Sequence, residues 1–187
     1  MILGNLLQQF YNVADTFIVG PFLGAGALAA VGSSYTLMTF LTSILLGMCM
    51  GSGAVFSIRY GERDIPRLKN SMVQSFVMIA GFTLVLNLLV FLLIDPMMAL
   101  LSVPADVYPL MRAYLWVIFF GIGGTFFYNY FASLLRAVGN SAAPLLFLGI
   151  SAVLNIVLDV AFVVGIPWGV AGAAFATCLS QWVSGLG

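Results

Sequence analysis

Six apolar segments, covering residues 1–21, 27–58, 68–94, 109–136, 143–165 and 169–187, divide this sequence. Each is long enough to cross a hydrocarbon layer of about 30 Å. A helix satisfies its backbone polar groups internally, as lipid demands. The expected fold is therefore all-α: a polytopic membrane protein built as a six-transmembrane-helix bundle. Composition agrees, with 63% hydrophobic residues, 6% charged residues and a mean hydropathy of +1.15, where soluble domains carry about 25% charge. The second and fourth segments exceed the roughly 20 residues a span needs, so they are expected to tilt or protrude.

The connections carry recognisable stops and starts. Gly20-Pro21 and Gly24 are expected to break the first turn-around, and Asp95-Pro96 to end the third helix. Asp64 with Pro66, Asp106 with Pro109, and Asn140-Ser141 with Pro144 read as helix starts, since proline suits a first turn. Ile166-Pro167-Trp168-Gly169 reads as a tight turn into the last segment. Arg59, Arg63, Arg67 and Lys69 flank the connection between the second and third segments, Arg136 ends the fourth, and Arg112 alone lies on the other side. Basic residues favour the cytoplasm, which predicts an inner-membrane protein with both termini of this segment cytoplasmic. The first and last segments lack charged flanks, and the sequence reads as half of a larger bundle.

Several function classes fall away. Net charge is zero with no basic patch, so nucleic acid is not an expected partner. Cys49 and Cys178 lie inside apolar runs and read as small packing residues. Histidine is absent, which removes the commonest zinc ligand and the usual proton shuttle. With no HExxH or GxSxG motif either, an enzyme is not expected, and no cofactor beyond a coupling ion.

The informative residues are polar groups inside the apolar runs. Asn155-Ile156-Val157-Leu158-Asp159 sits within the stretch Leu145–Val164. Spacing of four puts the amide and the carboxyl one turn apart on one helix face. A carboxylate at mid-membrane costs about 2.5–3.5 kcal/mol on insertion scales. Such a pair reads either as interhelical glue or as a proton or cation site. The first segment presents Gln8, Tyr11, Asn12 and Asp15 along one face, a stripe that must avoid lipid. Asp15, Asp159 and Thr177 each lie roughly 12–13 Å from the same boundary, at 1.5 Å per residue. Two carboxylates in a poorly solvated pocket cannot both stay ionised without a counter-charge. The pair would hold a proton or coordinate Na⁺, with oxygens of Asn155 and Thr177 completing the shell. For Asp15 the other reading is a side chain that merely snorkels to the interface. Tyr114 and Asn129 are candidates to line a cavity, and Gln74, Asn87 and Gln181 read as interhelical hydrogen-bond partners. Gly47-x-x-x-Gly51 reads as a close-packing motif.

Taken together, these residues resemble a known family. Gln8-Gln9-Phe10-Tyr11-Asn12-Val13-Ala14-Asp15 with Gly20, then Leu28-Ala29-Ala30-Val31-Gly32, is similar to the start of the multidrug and toxic compound extrusion (MATE) transporters. Leu135-Arg136-Ala137-Val138-Gly139-Asn140-Ser141 resembles that family's connection between helices four and five. Asn155-Ile156-Val157-Leu158-Asp159, Trp168-Gly169-Val170-Ala171-Gly172-Ala173-Ala174 and Ala176-Thr177 resemble its fifth and sixth helices. The likeness runs along the whole chain and is nearest to the prokaryotic DinF-like branch.

The resemblance implies that residues 1–187 are the N-terminal six-helix lobe of a twelve-helix antiporter. Such a protein exports organic cations and other amphipathic compounds in exchange for H⁺ or Na⁺. The family's N-lobe cation site falls on Asp15, Asn155, Asp159 and Thr177, with Gln8, Tyr11, Tyr114 and Asn129 supporting it or lining the cavity. The expected partners are small amphipathic or cationic substrates, the lipid bilayer, and a C-terminal lobe or a second copy of the chain. Two readings stand beside this one: a lipid-linked oligosaccharide flippase of the same broad superfamily, and a non-transporting membrane fragment.

Overall fold

The computed structural model follows the backbone from Ile2 and describes residues 16–187 in full, and every element it assigns there is helical. The first, α1 (Ile2–Gly61), is a long rod bent at Gly24, where φ is 84° and ψ is 179°. A residue with a Cβ rarely adopts that conformation, so the glycine is where the chain turns. Pro21 lies inside the helix just before the bend. It removes one helical hydrogen bond without ending the helix, so of the residues expected to break the chain here Gly24 does so and Gly20-Pro21 does not.

The second helix, α2 (Ile65–Leu92), starts as its sequence demands. The Asp64 carboxylate accepts the Arg67 N–H at 3.0 Å, with Pro66 in the first turn. Asp95 and Pro96 behave differently from expectation. The helix stops at Leu92, and both residues fall in the first turn of a short α3 (Ile94–Leu100). A carboxylate and a residue without an N–H both suit a helix start.

The segment expected as one helix over 109–136 is two, α4 (Tyr108–Ile118) and α5 (Gly121–Ala137), set at 45°. The bend is held by side chains from two other helices. Asn87 Nδ2 on α2 donates to Phe119 O at 2.7 Å, and Trp182 Nε1 donates to Phe120 O at 2.9 Å. Carbonyls freed by a break in an apolar medium need such partners, and Asn87 fills the interhelical role expected of it.

The last hairpin is α6 (Ala142–Asp159), a π-helical turn (Val160–Gly165) and α7 (Gly169–Leu186). Asn140 Oδ1 accepts the Ala143 N–H at 3.2 Å at the start of α6. The centre of the bundle is α7, enclosed by α4, α5 and α6. Its buried positions are mostly small: Gly172, Ala173, Ala174, Ala176, Thr177, Cys178, Ser180, Ser184 and Gly185. At its crossing with α5 the backbones nearly touch. A Cβ on Gly124 would sit 2.8 Å from Gln181 C and Trp182 N, and one on Gly185 would sit 2.6 Å from Gly124 O. Helices in lipid associate through such small-residue contacts. Gly47 and Gly51 do not pack this way, because among the described residues nothing lies within 4 Å of a Cβ built on either. The motif in α1 is turned outward, and the close approach it was expected to make occurs at α5–α7 instead.

Among the described residues, Thr16–Gly61, Ile65–Leu92 and Ala142–Gly165 are long and apolar enough to cross a membrane, as is the bent pair α4–α5. The most peripheral of these is α2, with Val73, Val77, Leu84, Leu88 and Leu92 turned outward. The Tyr130 hydroxyl on α5 donates to Met72 O on α2 at 2.6 Å, and Gly53 abuts Ser133. These contacts put the corner after α1 and the connection after α5 at one end of the bundle. Arg59, Arg63, Arg67, Lys69 and Arg136 therefore share a basic end, while Arg112 sits at the far end with Asp95.

Candidate functional site

Asn155 and Asp159 lie one turn apart on one face of α6, and both are 0% exposed. Thr177, one residue from the middle of α7, is 5% exposed and faces them. Asn155 Nδ2 donates to Thr177 Oγ1 at 3.3 Å. That bond fixes the amide orientation and leaves Asn155 Oδ1 without a hydrogen-bond partner among the described residues. Asp159 is the last residue of the regular helix before the π turn begins. Within that turn Ile166 N–H reaches Ala161 O at 2.8 Å, a step of five residues. Single π turns recur at functional sites, and nothing in the local sequence announced this one.

The surroundings are asymmetric along the bundle. Toward the far end the hairpin carries a ring cluster: Phe162 stacks on Trp168 at 5.1 Å and 6°, and Phe175 meets both edge-on, with Trp168 and Phe175 exposed. Val163 and Val170, on the same hairpin, are buried. Toward the basic end the seam turns polar. Ser151 Oγ donates to Ser180 O and Ser180 Oγ to Ala176 O, each at 2.8 Å and buried. No motif marks these serines in the sequence. Their signal is the period, since Ser151, Asn155 and Asp159 recur every four residues on one face of α6.

Tyr114 is buried on α4, which packs against α7. Asn129 is half-buried on α5, and its amide donates to Thr125 O one turn back at 2.8 Å. Its donor group thus serves its own helix. Asp15, Gln8, Tyr11 and Asn12 lie outside the described residues, and so does the shared depth expected of Asp15, Asp159 and Thr177. The structure brings together Asn155, Asp159 and Thr177.

No Lys, Arg or His occurs in residues 1–58, in α6 or in α7. Arg112 is engaged by Asp95 at 2.8 Å and Arg136 reaches Ser133 Oγ at 3.4 Å. Among the described residues no three His, Cys, Asp or Glu side chains cluster. The donors on this seam are a carboxylate, an amide oxygen and hydroxyls, which suit a proton or a hard cation rather than a soft metal.

A second aspartate supplies a contrast. Asp95 at the far end is exposed and accepts from Arg112 Nε and from the Tyr108 hydroxyl, both at 2.8 Å. The bond from Arg112, and then that from Tyr108, holds its carboxyl below the usual carboxylate range.

Known proteins match this chain over nearly its full length. The MatE family profile matches residues 1–161. "Probable multidrug resistance protein YpnP" of Bacillus subtilis (strain 168) is 34% identical over 184 residues, covering 98% of this chain and 41% of that protein. "DNA damage-inducible protein F" of Escherichia coli (strain K12) is 26% identical, covering 98% of this chain and 40% of that protein. A solved structure described as "Crystal structure of MATE in the bent conformation" superposes with a TM-score of 0.93 at 29% identity, over 100% of this chain and 41% of that one. The chain thus spans about two fifths of the length of the relatives it matches.

Proposed function

The chain belongs to the MatE family, and from that premise we propose that it acts as the ion-coupling lobe of a multidrug efflux antiporter. Its relatives include proteins named for multidrug resistance. The observation that carries the reading is the seam of α6 and α7, where Asp159 is fully buried beside an Asn155–Thr177 hydrogen bond on helices without a basic residue. In this reading H⁺ or Na⁺ meets the charge of Asp159, with the oxygens of Asn155 and Thr177 and the carboxylate of Asp15 completing the site. Tyr114, Asn129, Gln8 and Tyr11 support it or line the adjoining cavity. The chain carries out transport, not bond chemistry, and needs no cofactor beyond the coupling ion.

Coupling follows from differential affinity. An ion can drive a conformational change only by binding one arrangement of the helices better than the other, and substrate must favour the opposite arrangement. The exported compounds are organic cations or other amphipathic molecules. A second lobe, from further chain or a second copy, supplies the other wall of the central cavity. The five basic residues at one end support an orientation with that end in the cytoplasm, in the inner membrane.

The test is Asp159→Asn in the purified protein reconstituted into proteoliposomes. The variant is expected to insert normally and to lose export of a cationic dye driven by a pH or Na⁺ gradient. Export at the unmodified rate would overturn the reading.

A further inference from the structure

We propose that this lobe contains its own hydrated ion-access track, running from Asp159 along α7, between α5 and α6, to a cavity at the basic end. The inference rests on the reading of Asp159 as the ion site and assigns residues that the reading leaves idle.

Two independent observations carry it. The first is a set of buried oxygens without hydrogen-bond partners among the described residues: Asn155 Oδ1, Gln181 Oε1, Thr125 Oγ1 and Ser184 Oγ. Asn155 and Ser184 are themselves more than nine-tenths buried. Buried polar atoms are nearly always satisfied, by protein or by water, and internal water enters where several polar groups converge. All four oxygens lie on α5, α6 and α7, to the basic side of Asp159. Along α7, Thr177, Gln181 and Ser184 span about 10 Å at 1.5 Å per residue, on one face.

The second observation is the cavity of about 490 Å³ in which that row ends, between the last turns of α5 and α7 and the start of α6. Ser184 and Tyr128 supply its side-chain oxygens, and the rest of its lining, Phe131 and Phe147 included, is mostly apolar. The Tyr128 hydroxyl donates to Pro144 O at 3.2 Å, bracing α5 against α6 where the cavity opens. In the other direction the Phe162–Trp168–Phe175 rings and buried Val163 offer an ion no oxygen. Among the described residues, the unpartnered oxygens of the seam therefore lie on one side of Asp159, toward the basic end. A cation or proton crosses apolar protein only along oxygens or water, so the track gives an ion held at Asp159 a route to the basic end.

Two measurements on the reconstituted protein test this. In a background with Cys49 and Cys178 replaced by alanine, Gln181→Cys is expected to react with a small water-soluble cationic methanethiosulfonate from the basic-end face. The reaction should run at least about tenfold faster than at Val163→Cys, which is buried on the far side of Asp159 (a water-exposure difference). Equal protection at the two positions would overturn the track. Separately, Gln181→Met with Ser184→Ala is expected to slow ion exchange about tenfold while equilibrium ion affinity and thermal midpoint hold. Unchanged exchange would overturn the track and leave the polar groups as interhelical glue. Labelling of Gln181→Cys is expected to persist in an Asp159→Asn background. The track's failure is thus read separately from that of the ion site, which Asp159→Asn alone decides.

Discussion

The molecule holds two aspartates in opposite circumstances. Asp95 stands exposed at the far end, with Arg112 and Tyr108 both donating to its carboxylate. Asp159 is wholly buried at the junction of a regular helix and a π turn, on a seam of amide and hydroxyl oxygens. The first charge is balanced by the protein's own guanidinium, in water, where an ion pair contributes little. The second sits on helices with no basic residue to offer. A buried charge is costly unless something neutralises it, and a neutraliser that can leave is what ion coupling requires. On the proposed reading, the location of an aspartate, more than its presence, separates a structural latch from an exchangeable site.

The sharpest way to break this comparison is to neutralise each acid in turn. Asp159→Asn is expected to lower gradient-driven export about a hundredfold or more, and Asp95→Asn to leave it within about twofold. Comparable losses from both would erase the distinction. The next effect is on stability. Gly124→Val must push a side chain into the α7 backbone and is expected to cost about 1–3 kcal/mol. Gly47→Val, which meets nothing within 4 Å, should leave the thermal midpoint of the detergent-solubilised protein near that of the unmodified chain. Equal midpoints for the two would contradict the α5–α7 crossing. Within the seam, Thr177→Val keeps shape and removes the hydroxyl that Asn155 uses. Ion affinity is expected to fall about tenfold, since leaving a buried amide unsatisfied costs about 1–3 kcal/mol.

The smallest effect belongs to Asp95. Its carboxyl titrates below the ordinary range because the folded state favours the charged form. Its contribution to stability is therefore present above the unfolded-chain value and lost as pH falls through the folded one. Melting curves of the unmodified protein and Asp95→Asn are expected to differ slightly near neutrality and to converge in acid. A difference that grows on acidification would reverse the sign and the explanation.

Much of this was legible in the sequence, for physical reasons. Apolar length gave the helical bundle, and Asp64-Ile65-Pro66 marked its helix start because capping is local chemistry. Asn155 and Asp159 stood out because polar groups are expensive in an apolar run. What escaped depended on partners distant in sequence. The bend between α4 and α5 needs Asn87 and Trp182 to hold Phe119 O and Phe120 O, and no local window contains them. Gly47 and Gly51 carried the spacing for close packing, yet the contact formed at Gly124 and Gly185, because motif spacing does not say which face meets a neighbour. Ser151, Ser180 and Ser184 are individually unremarkable and acquire meaning only when α6 and α7 align them.

The claim beneath all of this is that Asp159, with Asn155 and Thr177, holds an exchangeable ion. Calorimetric titration of the purified protein with Na⁺ at several pH values, alongside Asp159→Asn, measures it directly. Saturable Na⁺ binding, or proton release from the same group, is expected in the unmodified protein and absent in the variant. Identical titrations of the two proteins would contradict the account.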